Sequence, residues 1–303
     1  MLDYPALAAV AAVVREGSFE RAAAALGVTP SAISQRVRAL EERLGGVLIV
    51  RGTTCRPTEA GRILCAHVER VRLLEGEVAS ALPALAGGGG TAPATLRVAV
   101  NADSLGTWFL RAATKFAHAS GALLHLVRED EGYTAARLRS GEVLAAVTAD
   151  PRPAPGCRIV PLGVQRYVAT ASPGYMRRHF PQGVDRASLA LAPVLRFDQK
   201  DQMQVRWARA LTGHELVAPT HWIPTTQGAL EATLAGLGWG LNPLALAAPH
   251  LAAGALSELV AGRPFDLPLY WQVARLGGRL LAGLTREVVA AAGRDLLPAP
   301  TGA

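Results

Sequence analysis

Four polar side chains, Ser31, Gln35, Arg38 and Glu42, recur at i, i+4, i+7 and i+11. On an α-helix that spacing draws one face. Ser34 and Arg36 flank it. In the DNA major groove Gln pairs with adenine and Arg with guanine, while Ser meets bases or phosphates. Ile33, Val37, Leu40 and Leu44 repeat the spacing on another face, so a core is expected to take them. A solvated face on an ordinary helical bundle would carry the same polar line. Arg51 and Arg56 bracket a turn just after the apolar run Val47 to Val50. On a two-stranded wing such arginines hold phosphate and fix register rather than read sequence. Six arginines stand against three glutamates between positions 30 and 62, and the chain carries a net charge of +7. Both suit double-stranded DNA as a partner.

A second group of residues falls where strands are expected to end. Asn101-Ala102-Asp103-Ser104 follows the apolar run Leu96 to Val100 and precedes a helix. Glu129-Asp130-Glu131 follows Leu123 to Val127, Asp198 follows Pro193 to Phe197, and Thr225-Thr226 opens a helix. Helix-start amides with the Ser104 hydroxyl suit a carboxylate. Asp103, Glu129, Asp130 and Asp198 suit ammonium groups. A basic amino acid (lysine, arginine or histidine) carries both. Trp108 is either a wall of such a site or a core residue. Helix capping is the ordinary alternative for Asp103 and Ser104, and a solvated charge run for 129–131.

Catalytic and metal chemistry find no support. The seven histidines are scattered without metal-ligand spacing. Cys55, Cys65 and Cys157 have no CxxC spacing, so neither a metal site nor a disulfide framework is implied, and a reducing cytosol fits. There is no GxSxG and no phosphate-binding glycine motif; Gly236-Leu237-Gly238-Trp239-Gly240 reads as a turn. No catalytic residue, metal or cofactor is expected.

The elements that must position these residues can be read in turn. A helix is expected from Tyr4 to Arg15, ended by Gly17. A second, capped by Ser18, runs from Phe19 to Leu26 and ends at Gly27, which can take the left-handed turn. Thr29 or Ser31 caps the third, with Pro30 tolerated in its first turn. After the wing, Thr58 caps a helix reaching about Ala86. Leu64, Val71, Val78 and Leu85, with Leu74, Ala81, Val68 and Leu82, form a coiled-coil-like seam that suits a dimer. Gly87 to Pro93 is a flexible linker. Strands and helices then alternate, which argues for a mostly parallel sheet covered by helices. One helix is expected over 105–119. A second α/β unit begins near Gln165, with strands at 167–171 and 193–197, and a strand at 267–273 crosses back before a final helix at 280–296. The fold class is therefore α/β with an all-α winged helix-turn-helix head. The divisions are 1–58 for the head, 59–86 for the dimerising helix, 87–94 for a hinge and 95–303 for a two-lobed sensor. Its first lobe takes about 95–164 and 267–303, its second about 165–266. No export signal and no run of about 18 apolar residues is present, so a cytoplasmic, non-membrane protein is expected.

The head resembles the LysR-type transcriptional regulators. Gly17-Ser18-Phe19 with Ala22-Ala23, Thr29-Pro30-Ser31-Ala32-Ile33-Ser34, Leu40-Glu41 and Pro57-Thr58-Glu59-Ala60-Gly61 carry the resemblance. It implies a two-lobed effector domain like a periplasmic binding protein, and assembly as a dimer or dimer of dimers. The sensor is similar to the basic-amino-acid-sensing ArgP/LysG (IciA) branch. There the carriers are Val100 to Leu105, Thr107-Trp108, Glu129-Asp130-Glu131, Leu138 to Val143, Phe197-Asp198 with Asp201-Gln202-Met203, and Tyr270-Trp271. That branch implies control of a basic amino acid exporter gene, and a DNA-bound regulator leaves RNA polymerase open as a partner. Two readings stay open beside it. One is a regulator with another effector, such as an anion or aromatic acid. The other is a solute-binding or enzymatic α/β protein with an accessory head.

Overall fold

The computed structural model describes residues 3–81, 93–128, 134–275 and 278–298. In the head, α1 (Tyr4–Glu16) is capped by Asp3, whose carboxylate accepts from the Ala6 amide at 3.1 Å. It ends at Gly17, held at φ 71°. Ser18 caps α2 (Phe19–Leu26), and buried Ala22 and Ala23 let the neighbouring helices approach closely. Thr29, not Ser31, caps α3 (Pro30–Leu44) by accepting from the Ala32 amide. Leu7, Val10, Val13, Ile33, Val37 and Leu40 form one small core. Leu44 does not join it: in the last turn of α3 the helix has run past its neighbours, and the side chain is 50% exposed. The wing is shorter than the apolar run predicts. Only β1 (Ile49–Val50) and β2 (Arg56–Pro57) pair, while Val47 and Val50 face outward.

Helix α4 (Glu59–Ala81) carries Gly61 in its first turn, where a Cβ would collide with the Leu48 carbonyl of the wing. Its seam divides. Leu64 and Val68 pack on the head core of the same chain, while Leu74 and Val78 stay exposed. Leu82, Leu85 and the 87–90 glycines lie outside the described residues.

The sensor begins with β3 (Thr95–Val100), α5 (Ala102–Thr107), α6 (Phe109–Ser120), β4 (Leu123–Arg128), α7 (Thr134–Ser140) and β5 (Ala145–Thr148). The expected single helix at 105–119 is thus two, broken at Trp108, which belongs to the core. Strand β6 (Cys157–Ala171) leads into α8 (Pro173–His179), α9 (Arg186–Leu191), β7 (Val194–Arg196), α10 (Met203–Thr212), β8 (Thr220–Trp222), α11 (Thr226–Leu234), β9 (Gly240–Pro243), α12 (Leu244–Ala252) and β10 (Ser257–Glu258). Strand β11 (Phe265–Ala274) returns to the first lobe, and α13 (Gly278–Asp295) closes it.

One sheet has the order β10-β6-β11-β5-β3-β4, with β9 also on β6. Strands β3, β4 and β5 are parallel, but the longest ladder, β6 with β11, is antiparallel, as are β11 with β5 and β6 with β9 and β10. The sheet is therefore not mostly parallel. The chain crosses between lobes on continuous strands, one outgoing and one returning, and such a pair must be antiparallel. Trp108, Phe109, Trp271 and α13 fill the first lobe's core; Tyr167, Tyr175, Trp207 and Trp239 fill the second's. Among the described residues no helix is long and apolar enough to cross a membrane.

Candidate nucleic-acid surface and interlobe site

Along α3, Ser31, Gln35 and Arg38 are exposed, and Ser34 and Arg36 are half-buried. The Arg38 guanidinium meets Glu42 at 2.9 Å one turn on, which orients it along the helix face. Thr29 and Pro30 are exposed at the start of the helix, where they build its first turn. Arg51 lies over the Phe19 ring, 4.5 Å from its centroid, and Arg56 stands in register with Val50 on the wing. A residue that the base-reading pattern did not single out joins the two elements. Glu41 Oε1 accepts from the Leu48 amide at 2.7 Å and the Ile49 amide at 3.3 Å, pinning the wing to α3. The local signal was an acid lying off the solvent stripe, next to Leu40 of the core.

Between the sensor's lobes lies a cavity of about 230 Å³. The first lobe contributes Asn101, Asp103 and Arg128; the second contributes Asp198, Lys200, Asp201 and Thr226; Tyr167 comes from the shared strand β6. Asp103 sits at the centre of this arrangement. Its Oδ2 accepts from the Tyr167 hydroxyl at 2.7 Å and its Oδ1 from Thr226 Oγ1 at 2.6 Å. Burial pushes the Asp103 carboxyl above its ordinary range, the Thr226 and Tyr167 hydrogen bonds oppose that, and the Asp201 charge adds to it. Burial, then the neighbouring Asp103 charge, holds the Tyr167 phenol well above its usual value, so it remains a donor.

Asp198 lines the cavity while accepting from the Lys200 amide at 2.8 Å and the Asp201 amide at 3.1 Å. Cations line the same space, so the cleft is not acidic alone. The Arg128 guanidinium crosses to the second lobe and lies 5.1 Å from the Phe197 ring centroid. Arg196 lies over Trp222 and donates to the Asp201 carbonyl, and Arg206 lies over Phe265.

Three expected cleft residues are elsewhere. Ser104 is fully buried and donates to Gln165 Oε1 at 3.3 Å, because one residue of helical rotation turns it away from Asp103. Trp108 is a core residue, 2% exposed. Thr225 spends its hydroxyl capping α11 through the Gly228 amide, which leaves Thr226 to face the cleft. Glu129 and Asp130 lie outside the described residues. Asn101 precedes α5 without a side-chain cap bond, and no donor among the described residues reaches its Oδ1.

Comparison with known proteins decides the family. Residues 5–62 match the bacterial regulatory helix-turn-helix protein family of lysR type, and residues 89–296 match the LysR substrate binding domain. The chain belongs to the LysR family. Its members are DNA-binding regulators, not enzymes. Over 297 residues this LysR chain is 46% identical to the transcriptional regulator ArgP of Pseudomonas aeruginosa, covering 98% of each. The solved ArgP of Mycobacterium tuberculosis superimposes with a TM-score of 0.84 at 41% identity, over 99% of this chain and 100% of that one. The full-length LysG of Corynebacterium glutamicum with bound effector Arg gives a TM-score of 0.73 at 40% identity, over 98% and 100%. In this LysR sensor, strand-end reasoning reaches the Thr225-Thr226 pair but not Tyr167, Asp201 or Arg128. Tyr167 lies mid-strand, and Arg128 closes a strand whose neighbouring acids drew the attention.

Proposed function

We propose that this LysR-family protein senses a basic amino acid, lysine or arginine, in the interlobe cleft and thereby changes transcription from a bound operator. The observation that carries the reading is the Asp103 carboxylate, held by Tyr167 and Thr226, in a cavity that also holds the acids Asp198 and Asp201 and the cations Arg128, Arg196, Lys200 and Arg206. A ligand with ammonium groups and one carboxylate matches both signs. Asp103, Asp198 and Asn101 take the cationic groups, and Arg128 takes the carboxylate. The relative solved with bound effector Arg supports this ligand class. That same LysG of Corynebacterium glutamicum is a lysine export transcriptional regulatory protein, 41% identical over 290 residues, which supports an exporter gene as target.

Ser31, Ser34, Gln35, Arg36 and Arg38 enter the major groove, Thr29 and Pro30 set the turn before them, and Arg51 and Arg56 hold phosphate. The head at 1–58, the helix at 59–86, the hinge at 87–94 and the sensor at 95–303 are the working parts, with separate buried cores in head and lobes in support. The protein works in the cytoplasm as a dimer or dimer of dimers, because paired heads on two half-sites multiply affinity. The ligand must favour one arrangement of those heads over another. The test is binding of the full-length protein to its own upstream DNA, with lysine, arginine or benzoate added. A salt-sensitive complex altered by the basic amino acids and not by benzoate is expected. A complex indifferent to all three would remove the effector assignment.

A further inference from the structure

Asp103 stands on α5 of the first lobe, yet both of its oxygens are held by other elements. Thr226 donates from the first turn of α11 in the second lobe, and Tyr167 donates from β6, the strand common to both. Helices α5 and α11 touch at this point: a Cβ at Gly106 would lie 3.6 Å from the Thr226 Cβ, ordinary van der Waals contact. Each hydroxyl has one proton to give, and both donate together when Asp103 is ionised and accepts at both oxygens. A carboxylate has about four lone-pair sites in all, so two remain for a ligand cation. A protonated Asp103 would reverse one of these bonds, donating to a hydroxyl that then accepts, and would carry no charge for a ligand cation.

We propose that Thr226 and Tyr167 are positioning residues for ligand recognition: their hydroxyls clasp Asp103 across the lobes, so that one ligand cation on that carboxylate stabilises the closed cleft. The proposal rests on the reading that Asp103 receives a cationic group of the ligand. Charged groups facing the clasp around the cavity are Arg128 from β4, Arg196 from β7, Asp198, Lys200 and Asp201 after β7, and Arg206 from α10; no histidine is among the described lining residues.

The experiment is a calorimetric titration of the full-length protein with lysine and arginine between about pH 5 and 8. It compares wild type with Thr226→Val, Thr226→Ser and Tyr167→Phe, each checked for a wild-type unfolding transition. Thr226→Val and Tyr167→Phe should bind on the order of tenfold more weakly, the scale of one hydrogen bond to a charged group. Thr226→Ser should restore binding. In the two weakened variants, affinity should begin to fall at a higher pH on acidification, because a carboxylate that has lost a donor holds its proton more tightly. Wild-type affinity and pH profile in Thr226→Val would overturn the proposal. Equal weakening by Thr226→Val and Thr226→Ser with an unshifted profile would do the same, since it marks a packing effect. Wild-type protein that binds neither amino acid overturns the ligand reading first, and the clasp with it. Should Tyr167→Phe fail to fold, the Thr226 pair still decides.

Discussion

Replacing Glu41 with Ala removes the acceptor that pins the wing to the recognition helix. The Leu48 amide lies 2.7 Å from Glu41 Oε1 and the Ile49 amide 3.3 Å. A hydrogen bond to a charged group contributes about 1.5–3 kcal/mol. The shorter bond falls in that range; the longer one is beyond the usual N–H···O distance and adds little. Leu48 and Ile49 are buried, at 1% and 3% exposed, so water reaches their amides poorly once Glu41 is gone. The expected loss is therefore about 2 kcal/mol for Glu41→Ala, and about half that for Glu41→Gln, which keeps a neutral acceptor. For a domain of this size that lowers the melting temperature by roughly 8–16 °C for the alanine variant.

The assay uses a feature of the sequence. All five tryptophans (108, 207, 222, 239 and 271) lie in the sensor. Far-ultraviolet circular dichroism of the full-length protein reports both parts, while tryptophan fluorescence reports the sensor alone. Glu41→Ala should lower only the transition that fluorescence does not see, and should weaken DNA binding as Arg51 and Arg56 lose their register. A head transition within about 0.5 kcal/mol of wild type, the ordinary range for a surface change, would refute the reasoning. An equal shift in the fluorescence transition would also refute it.

Arg38→Ala should leave both transitions in place and reduce operator affinity by about 1–3 kcal/mol, the scale of one bidentate base contact, measured by fluorescence anisotropy; undiminished binding would remove Arg38 from the interface. Gly61→Ala places a methyl against the Leu48 carbonyl and should destabilise the head by about 1–3 kcal/mol, read by the same dichroism transition. The Cys65 thiol is pushed up to about 11, chiefly by burial and then by Glu69. A raised thiol pKa keeps the thiolate scarce below it, so at pH 8 a disulfide reagent should modify Cys65 only slowly in the folded protein and rapidly in urea. Fast folded-state modification of Cys65 would contradict that burial.

The head was legible because its signals are local. Ser18, Gly17, Gly27 and Thr29 act within a turn of themselves, and caps and left-handed glycines need no distant partner. Leu44 kept the apolar spacing but lost its neighbours, which spacing cannot see. The sensor was legible as strands and helices in two lobes, less so in its long strands. Pro161 and Gly163 interrupt the run that becomes β6, so only its latter part, 167–171, was readable as a strand. Helices α8, α9 and α12 are short, and α12 carries Pro249 inside it, so their periodicity was too brief to register. At the cleft, Asp103 and Asp198 were findable as acids after strands. The choice between Asp103 and Ser104, or Thr226 and Thr225, depends on helix rotation and on which hydroxyl the cap consumes. Tyr167 carried no local signal, since its role exists only once β6 passes beneath α5.

The most direct test of the account is calorimetric titration of the full-length protein with lysine, arginine, histidine and benzoate, in wild type and in Asp103→Asn. The account predicts saturable binding of lysine or arginine by the wild type, no binding of benzoate, and at least a tenfold loss in Asp103→Asn, the scale of a charged hydrogen bond. Folded wild-type protein that binds none of the basic amino acids, or an Asp103→Asn variant that binds them as tightly as wild type, would contradict it.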